Sequence, residues 1–248
     1  MQSAPAARNR TRDAIFVVIA LACLALCVSL ARWQGRRGDA KEAMQRAWDA
    51  AQASAPARIE DTTSLAQLQD PARVVVVGRL LHRSSVWLDN RTLDGRAGFW
   101  LVTPLQPENG PAVLVARGWA PRDAVDRTRL PEVDEPREPV TIEGIATAEL
   151  PHWLALGDPA VSGTLPAIWQ NLDLESYQRA SGMHVAARIV RQTGPDSGGL
   201  VRRWPRPDYG VDRHRGYEMQ WYAIGAVFAL GGLWFVFGPI LRTRQGER

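Results

Sequence analysis

Ala14–Ala31, with the sequence AIFVVIALACLALCVSLA, is an uninterrupted run of 18 residues without a charged side chain. At 1.5 Å per residue, a helix of this length approaches the roughly 30 Å of a bilayer's hydrocarbon core. A second uncharged run, WYAIGAVFALGGLWFVFGPIL, covers 21 residues from Trp221 to Leu241. Backbone groups inside lipid must bond to one another, which favours helices. The sequence therefore predicts transmembrane helices at residues 14–31 and 217–241, the second including an interfacial first turn.

The first apolar run has one alternative interpretation, a cleavable signal peptide, because basic residues precede it. We favour a retained helix, since the run is longer than the apolar core of a typical signal peptide. Arg32, Trp33, Arg36 and Arg37 also follow it directly, where a cleavage site would require small residues.

The charges beside the two runs predict their orientation, because Lys and Arg close to a span tend to stay in the cytoplasm. Residues 1–13 contain three arginines and one aspartate, and residues 242–248 contain three arginines and one glutamate, so each tail carries a charge of +2. We expect these two tails to be cytoplasmic and residues 32–216 to form a periplasmic domain. A tail of 13 residues is too short for a mitochondrial transit peptide, which favours a multi-pass protein of a bacterial inner membrane.

Composition argues against nucleic-acid binding and against an enzyme. The pI is near 9.6, but Lys41 is the only lysine, and acidic residues are interspersed with the arginines. The chain contains no GxSxG, HExxH or CxxC motif and no phosphate-binding loop, and its four histidines are scattered. A hydrolase would need a nucleophile and a base that the sequence does not bring together. We therefore predict a protein that binds or scaffolds.

The only two cysteines, Cys23 and Cys27, both lie in the first apolar run, so the outer domain has no disulfide. Their spacing of four places them on one face of a helix, where a copper or redox pair is conceivable. We favour the interpretation that they are small apolar residues that pack a helix.

The residues between the two runs predict a β-rich domain with a few helices. Asp39–Ala53 has helical composition and continues from the first run, 64–68 is a short second helix, and 173–181 is a helix that begins at Asp173 and stops at Gly182. The candidate strands are short and rich in Val and Leu: Val74–Leu81, Ser85–Leu88, Gly98–Leu105, Ala112–Trp119, Val140–Ala146 and His184–Gln192.

Two segments of this region predict connections rather than strands. Asp89–Gly95, with the sequence DNRTLDG, contains the residues that turns prefer, and Pro121–Pro139 is charged and rich in proline. The fold class is therefore a membrane α+β protein. We expect two terminal transmembrane helices to flank an antiparallel sheet that curls into a small barrel-like domain.

Six sequence blocks lie in one order along the chain: Trp33-Gln34, LDNRTLDGRAGFWLVTPL at Leu88–Leu105, VLVARGWAP at Val113–Pro121, VTIEGI at Val140–Ile145, WQNLD at Trp169–Asp173 and HRGYEMQW at His214–Trp221. This order and spacing resemble the Surfeit locus protein family. Ala116 departs from the family's VLVNRGW pattern, in which asparagine is commoner. The blocks carry the motif residues Trp33, Gln34, Asp89, Asn90, Arg91, Thr103, Pro104, Arg117, Gly118 and Trp119.

The resemblance implies a non-enzymatic assembly factor for haem-copper cytochrome c oxidase that binds haem a transiently. Its implied partners are the catalytic subunit of the oxidase, haem a synthase and membrane lipid. His214 is the candidate axial ligand of the haem iron, because imidazole is the commonest such ligand and His214 lies about two helical turns before Trp221. Glu218 is expected to hydrogen-bond the imidazole or to face a partner subunit. Tyr217 and Trp221 complete the candidate cofactor-binding set.

Two hypotheses remain open. The first is a haem a chaperone; the second is a scaffold that stabilises an oxidase assembly intermediate without binding haem, in which case His214 only anchors its helix at the lipid headgroups.

The motif residues likewise have a structural and a functional interpretation. Structurally, Asn90 sets a turn, Gly118 permits a bend and Trp119 fills the core. Arg91 and Arg117 either bind haem propionates or an acidic partner, or are buried and pair with Asp89 or Asp94, and we favour the second reading.

Overall fold

The computed structural model describes residues 10–126, 128–152, 165–205 and 209–245. The chain divides into two compact units. One unit contains residues 1–45 and 207–248, and the other contains residues 46–206.

Two long helices carry the apolar runs: α1 (Arg10–Ala53) and α3 (Val211–Gln245), with the short helix α2 (Leu174–Ser181) between them in sequence. Both long helices are long and apolar enough to cross a membrane. Many of their large apolar side chains are exposed, for example Leu230 and Trp234 at 67% and 66%, whereas a helix in the core of a soluble protein buries its apolar face. These findings confirm two candidate membrane helices at the ends of the chain.

Both helices extend beyond the apolar runs. The predicted continuation of the first helix through Asp39–Ala53 is confirmed, because α1 ends at Ala53. Helix α3 begins at Val211, before the predicted residue 217, and its first turn contains Asp212, whose negative charge suits the positive end of a helix dipole. His214 therefore lies in the first turn of α3.

Helices α1 and α3 pack against each other in antiparallel directions. The rings of Phe16 and Phe235 have centroids 4.4 Å apart, and Gly225 lies against Cys27, where an added Cβ would be 3.3 Å from the Cβ of Cys27. Glycine thus permits close approach of the two helices at this point. Across the described residues, no group of three or more His, Cys, Asp or Glu side chains could hold a metal ion, and both cysteines are free thiols.

The unit of residues 46–206 is built on an eight-stranded sheet with the strand order β1-β2-β6-β8-β5-β4-β3-β7. The strands are β1 (Ala57–Ile59), β2 (Ala72–Leu80), β3 (Val86–Leu93), β4 (Arg96–Pro107), β5 (Ala112–Pro121), β6 (Val140–Thr147), β7 (Ala167–Trp169) and β8 (Val185–Gln192). Short 3-10 helices occupy Thr62–Gln67 and His82–Ser84.

The sheet is mixed, so the prediction of an antiparallel sheet is wrong. Strand β1 pairs in parallel with β2, β7 with β3, and β8 with β5, while the other pairs are antiparallel. A parallel neighbour requires a long connection, and strand patterns do not reveal which distant strand is paired. Strand β2 also pairs with β4 over Gly78–Leu80, so β2, β6, β8, β5 and β4 each have two neighbours within this set. The barrel-like shape stays a prediction.

Five of the six predicted strands are confirmed to within two residues at each end, and the sixth, Ser85–Leu88, covers only the first part of β3. Strands β1 and β7 were not predicted, because three residues are too few for a hydrophobic pattern. The helix at 173–181 is also confirmed. The carboxylate of Asp173 accepts a hydrogen bond from the backbone N of Ser176, and Gly182 ends the helix with a φ of 68°.

The predicted turn over Asp89–Gly95 is wrong in extent. Strand β3 continues to Leu93, and only Asp94 and Gly95, with φ of 49° and 75°, form the connection to β4. Instead, a β-bulge lies between Leu88 and Arg91, and Asn90 supplies its left-handed residue with a φ of 59°. A bulge and a turn both require such a residue, which is why composition alone indicated a turn.

Candidate functional site

Two motif blocks meet at Trp119 on β5. Its indole N–H donates a hydrogen bond to the carbonyl oxygen of Arg91 over 2.7 Å, and its ring lies against Gly98. Gly118, the residue before Trp119, lies close to the backbone of Val201. The backbones of Trp119 and Val201 form two hydrogen bonds of 2.8 Å with each other. The Leu88–Leu105 and Val113–Pro121 blocks therefore form one packed cluster.

Arg91 is the charged centre of this cluster and is only 1% exposed. Its Nη2 donates to the carbonyl oxygen of Gln170 over 2.8 Å, and its guanidinium carbon lies 5.0 Å from the centroid of the Trp100 ring. Burial lowers the pKa of Arg91 to about 10, and the charge of Asp89 opposes that shift. The WQNLD block thus joins the cluster through Gln170.

The two acidic residues predicted to pair with the buried arginines have different partners. Asp89 lies 3.4 Å from Nη1 of Arg122, and Asp94 lies 2.9 Å from Nη2 of Arg203. Asp89 also acts on Arg91 through its charge, which opposes the lowering of the Arg91 pKa by burial. Proximity in the sequence suggested the nearest arginine as the partner of each aspartate, whereas the fold brings Arg122 to Asp89 and Arg203 to Asp94.

Arg117 is the extra residue of a second bulge, since Ala116 pairs with Val102 and Gly118 pairs with Leu101. Its side chain is buried, and Nη2 donates to the carbonyl oxygen of Asp134 over 2.8 Å.

Burial lowers the pKa of Arg117, and the nearby charge of Arg202 lowers it further. Two cavities of about 300 and 580 Å³ border Arg117, yet its Nη1 is covered by protein atoms and has no hydrogen-bond partner among the described residues. A covered nitrogen is not presented to an external carboxylate, so this geometry favours a structural role.

Thr103 and Pro104 also have structural contacts. The hydroxyl of Thr103 lies 2.9 Å from that of Ser85, and the carbonyl oxygen of Pro104 accepts a hydrogen bond of 2.8 Å from the backbone N of Leu81. These contacts hold β4 beside the segment that leads into β3.

A second set of motif residues meets between α1 and α3. The Nδ1 atom of His214 lies 2.8 Å from Oε1 of Gln34. The imidazole is half-buried, and among the described residues its Nε2 has no hydrogen-bond partner. We call His214, Arg215 and Glu218, together with the α1 residues that they contact, the helix-pair site.

Arg215 binds three carboxylates in this site. Its Nη1 lies 3.0 Å from Glu218 on the same helix, and its Nη2 lies 2.8 Å from Asp39 and 2.9 Å from Glu42 on α1. Glu218 therefore accepts a hydrogen bond from Arg215, while Nδ1 of His214 bonds Gln34 and not Glu218. The alternative that Glu218 faces a partner subunit stays a prediction. The sequence alone did not indicate the partners of this arginine on α1, because Asp39 and Glu42 lie 176 and 173 residues away.

Two glycines of α1 make room for these side chains. A Cβ added at Gly35 would lie 2.7 Å from Oε1 of Glu218, and one added at Gly38 would lie 3.3 Å from Nε of Arg215. The spacing of Gly35 and Gly38, followed by Asp39 and Glu42, is a signal in the sequence that could have located the arginine's counterpart.

The predicted aromatic residues lie at the surface of the helix pair. Trp33 and Tyr217 are 46% and 48% exposed, and Trp221 is half-buried. The guanidinium carbon of Arg37 lies 5.8 Å from the centroid of the Trp33 ring. Exposed aromatic rings next to polar side chains suit the interface of a membrane with water.

The other histidines are less suitable as iron ligands. The Nε2 of His82 lies 2.9 Å from the carbonyl oxygen of Pro136, while His152 and His184 are exposed and lie outside helices and strands. Within the described residues, only His214 combines partial burial with an Nε2 that makes no hydrogen bond.

Comparison with known proteins gives one consistent result. The SURF1 family model matches residues 21–226, a range that contains Gln34, His214 and the whole sheet. Uncharacterized SURF1-like proteins of Mycobacterium bovis and Mycobacterium tuberculosis are 26% identical over 183 residues, which is 71% of this chain and 63% of theirs. A SURF1-like protein of Dictyostelium discoideum is 30% identical over 59 residues, 24% of this chain and 22% of its own. The alignment thus spans less than two thirds of the mycobacterial relatives. The family match, which covers most of the chain, shows that the protein belongs to the SURF1 family.

Proposed function

We propose that this protein is a membrane-anchored assembly factor for haem-copper cytochrome c oxidase that holds haem a and assists its delivery to the catalytic subunit. Family membership and the two apolar helices support the assembly role. The observation that carries the haem proposal is the half-buried imidazole of His214, whose Nε2 makes no hydrogen bond among the described residues.

The residues of the helix-pair site fit a haem ligand in chemical type. Haem a, when bound, supplies an iron that takes an axial imidazole nitrogen. In this proposal His214 provides that nitrogen, and the exposed rings of Trp33 and Tyr217 provide apolar surface for a lipophilic macrocycle. Arg215 is already bound to three carboxylates, so its role is to hold α1 and α3 together rather than to bind a propionate.

The proposal includes a topology and partners. Residues 1–13 and 242–248 lie in the cytoplasm of a bacterial cell, and the sheet domain faces the periplasm, which the charge of +2 on each tail supports. The catalytic subunit receives the haem, and haem a synthase supplies it. No catalytic step by this chain is required.

A scaffold that never binds haem is the second candidate. It is favoured by Arg91, Arg117 and Trp119, whose contacts are internal to the sheet domain. In that case the bond between His214 and Gln34 is only a contact between helices, and the chain stabilises an oxidase intermediate through its surfaces.

Replacing His214 separates the two candidates. The full chain would be co-expressed with haem a biosynthetic enzymes, purified in detergent and measured by its Soret absorption. His214→Ala should lose the bound haem while expression holds, because the ion pairs of Arg215 still hold α1 and α3 together. His152→Ala, at an exposed position, is the matched control and should keep the haem. Absence of Soret absorption from the wild-type chain, with the oxidase subunit still co-purifying, would favour the scaffold, whereas wild-type haem content in His214→Ala would mean that another side chain is the ligand.

A further inference from the structure

We infer that Gln34 is a positioning residue that holds His214 as the tautomer with its hydrogen on Nδ1, leaving the lone pair of Nε2 for a metal. The metal-binding role of this tautomer rests on the proposed function. The tautomer itself is a property of the protein without haem, so it is measured independently.

The contact determines the tautomer through the chemistry of its two atoms. Oε1 of an amide has no hydrogen and can only accept, so at 2.8 Å the Nδ1 of His214 must donate. A neutral imidazole carries one hydrogen, and its Nε2 is then an acceptor. A free histidine in water prefers the opposite tautomer, so the protein must supply the acceptor that reverses this preference.

The two side chains are held in register by their neighbours. Arg215, directly after His214, bonds Asp39 and Glu42 on α1, and Glu218 lies over Gly35, directly after Gln34. These contacts lie directly after Gln34 on α1 and directly after His214 on α3, so they fix the two helices beside the bond. A metal-binding histidine in proteins almost always donates its other N–H to such a fixed partner, which orients the ring.

The orientation of the Gln34 amide decides the tautomer of His214. If the NH₂ group of Gln34 faced Nδ1 instead, then Nδ1 would accept, Nε2 would carry the hydrogen and His214 could not bind a metal through it. The two orientations therefore predict opposite tautomers.

Nitrogen NMR of the full chain without haem distinguishes the two tautomers. The chain would be labelled with ¹⁵N-histidine, placed in lipid nanodiscs and measured at a pH of about 8.5, where an ordinary histidine is neutral. His214→Ala identifies the His214 signals among the four histidines. We expect a protonated Nδ1 and an unprotonated Nε2 in the wild-type chain. Gln34→Leu should shift His214 towards a protonated Nε2, whereas Gln34→Glu, which keeps an acceptor, should not.

Gln220→Leu is the matched control, since Gln220 is an exposed glutamine on α3. It should leave the His214 signals unchanged. A protonated Nε2 in the wild-type chain, or an unchanged tautomer in Gln34→Leu, would overturn the inference.

The consequence for haem is a separate measurement. Gln34→Leu should weaken haem binding by about 10- to 100-fold, the usual effect of removing a partner of a metal ligand, and Gln34→Glu should preserve it. If Gln34 controls the tautomer but His214→Ala keeps its haem, the tautomer assignment stands and the assignment of His214 as the haem ligand fails.

Discussion

Gly98→Ala should destabilise the sheet domain more than its size suggests, because Gly98 lies where the motif blocks meet. The added Cβ would lie 2.3 Å from the carbonyl oxygen of Ala120 and 2.4 Å from Cε2 of Trp119. Neither atom belongs to a flexible chain end, so β4, β5 or the indole ring must move. Overpacking of this kind costs about 1–3 kcal/mol.

Movement of the indole has a second cost. It breaks the 2.7 Å hydrogen bond from Trp119 to the carbonyl oxygen of Arg91, in a region where both residues are buried. Leaving a buried acceptor unpaired costs about 1–3 kcal/mol. Against this, alanine gains about 0.4–1 kcal/mol over glycine by restricting the unfolded chain. The net destabilisation is about 1–6 kcal/mol.

The assay is urea unfolding of the full chain in detergent micelles, followed by tryptophan fluorescence and near-ultraviolet circular dichroism. Gly98→Ala should lower the urea midpoint clearly, whereas Gly216→Ala, with no neighbouring atom within 4 Å of the added Cβ, should not. An unchanged midpoint for Gly98→Ala would refute the packing argument. A lowered midpoint with the Trp119 hydrogen bond still in place would attribute the effect to the backbone contact alone.

Three further predictions concern pH, helix packing and topology. Burial raises the pKa of Tyr177 to about 12. The contribution of the neutral Tyr177 to the free energy of unfolding is therefore complete below a pH of about 10, and up to about 3 kcal/mol of it is lost as the pH rises from about 10 to about 12. The buried Arg91 titrates in the opposite sense there, so the quantity to measure is the stability difference between the wild-type chain and Tyr177→Phe, which should shrink across that range. Gly225→Cys should form an oxidant-induced disulfide with Cys27 and run as a faster band on a non-reducing gel, while Gly231→Cys, without a neighbour within 4 Å, should not. Reporter fusions should place both termini in the cytoplasm and residue 110 outside, and an external terminus would contradict the proposed topology.

The sequence by itself determined the features that depend on neighbouring residues. The uncharged runs at 14–31 and 221–241 predicted the two long helices, because lipid requires about 20 apolar residues in succession. Asp173 and Gly182 predicted the ends of α2 because capping involves residues within one turn. The order of the six motif blocks was sufficient to indicate the family, and no contact between them was needed for that.

Only the tertiary structure decided which distant groups meet. The sequence offered Asp89 and Asp94 as partners of the buried arginines because they are close in the chain, but the fold places Gln170 against Arg91 and the carbonyl of Asp134 against Arg117. The parallel pairing of β5 with β8 was hidden for the same reason. At the helix-pair site, Gln34 and His214 are 180 residues apart, and their bond exists because two antiparallel helices bring both ends of the chain together. A hydrogen bond requires two atoms within about 3 Å of each other. A sequence pattern does not give the distance in space between residues that are far apart in the chain.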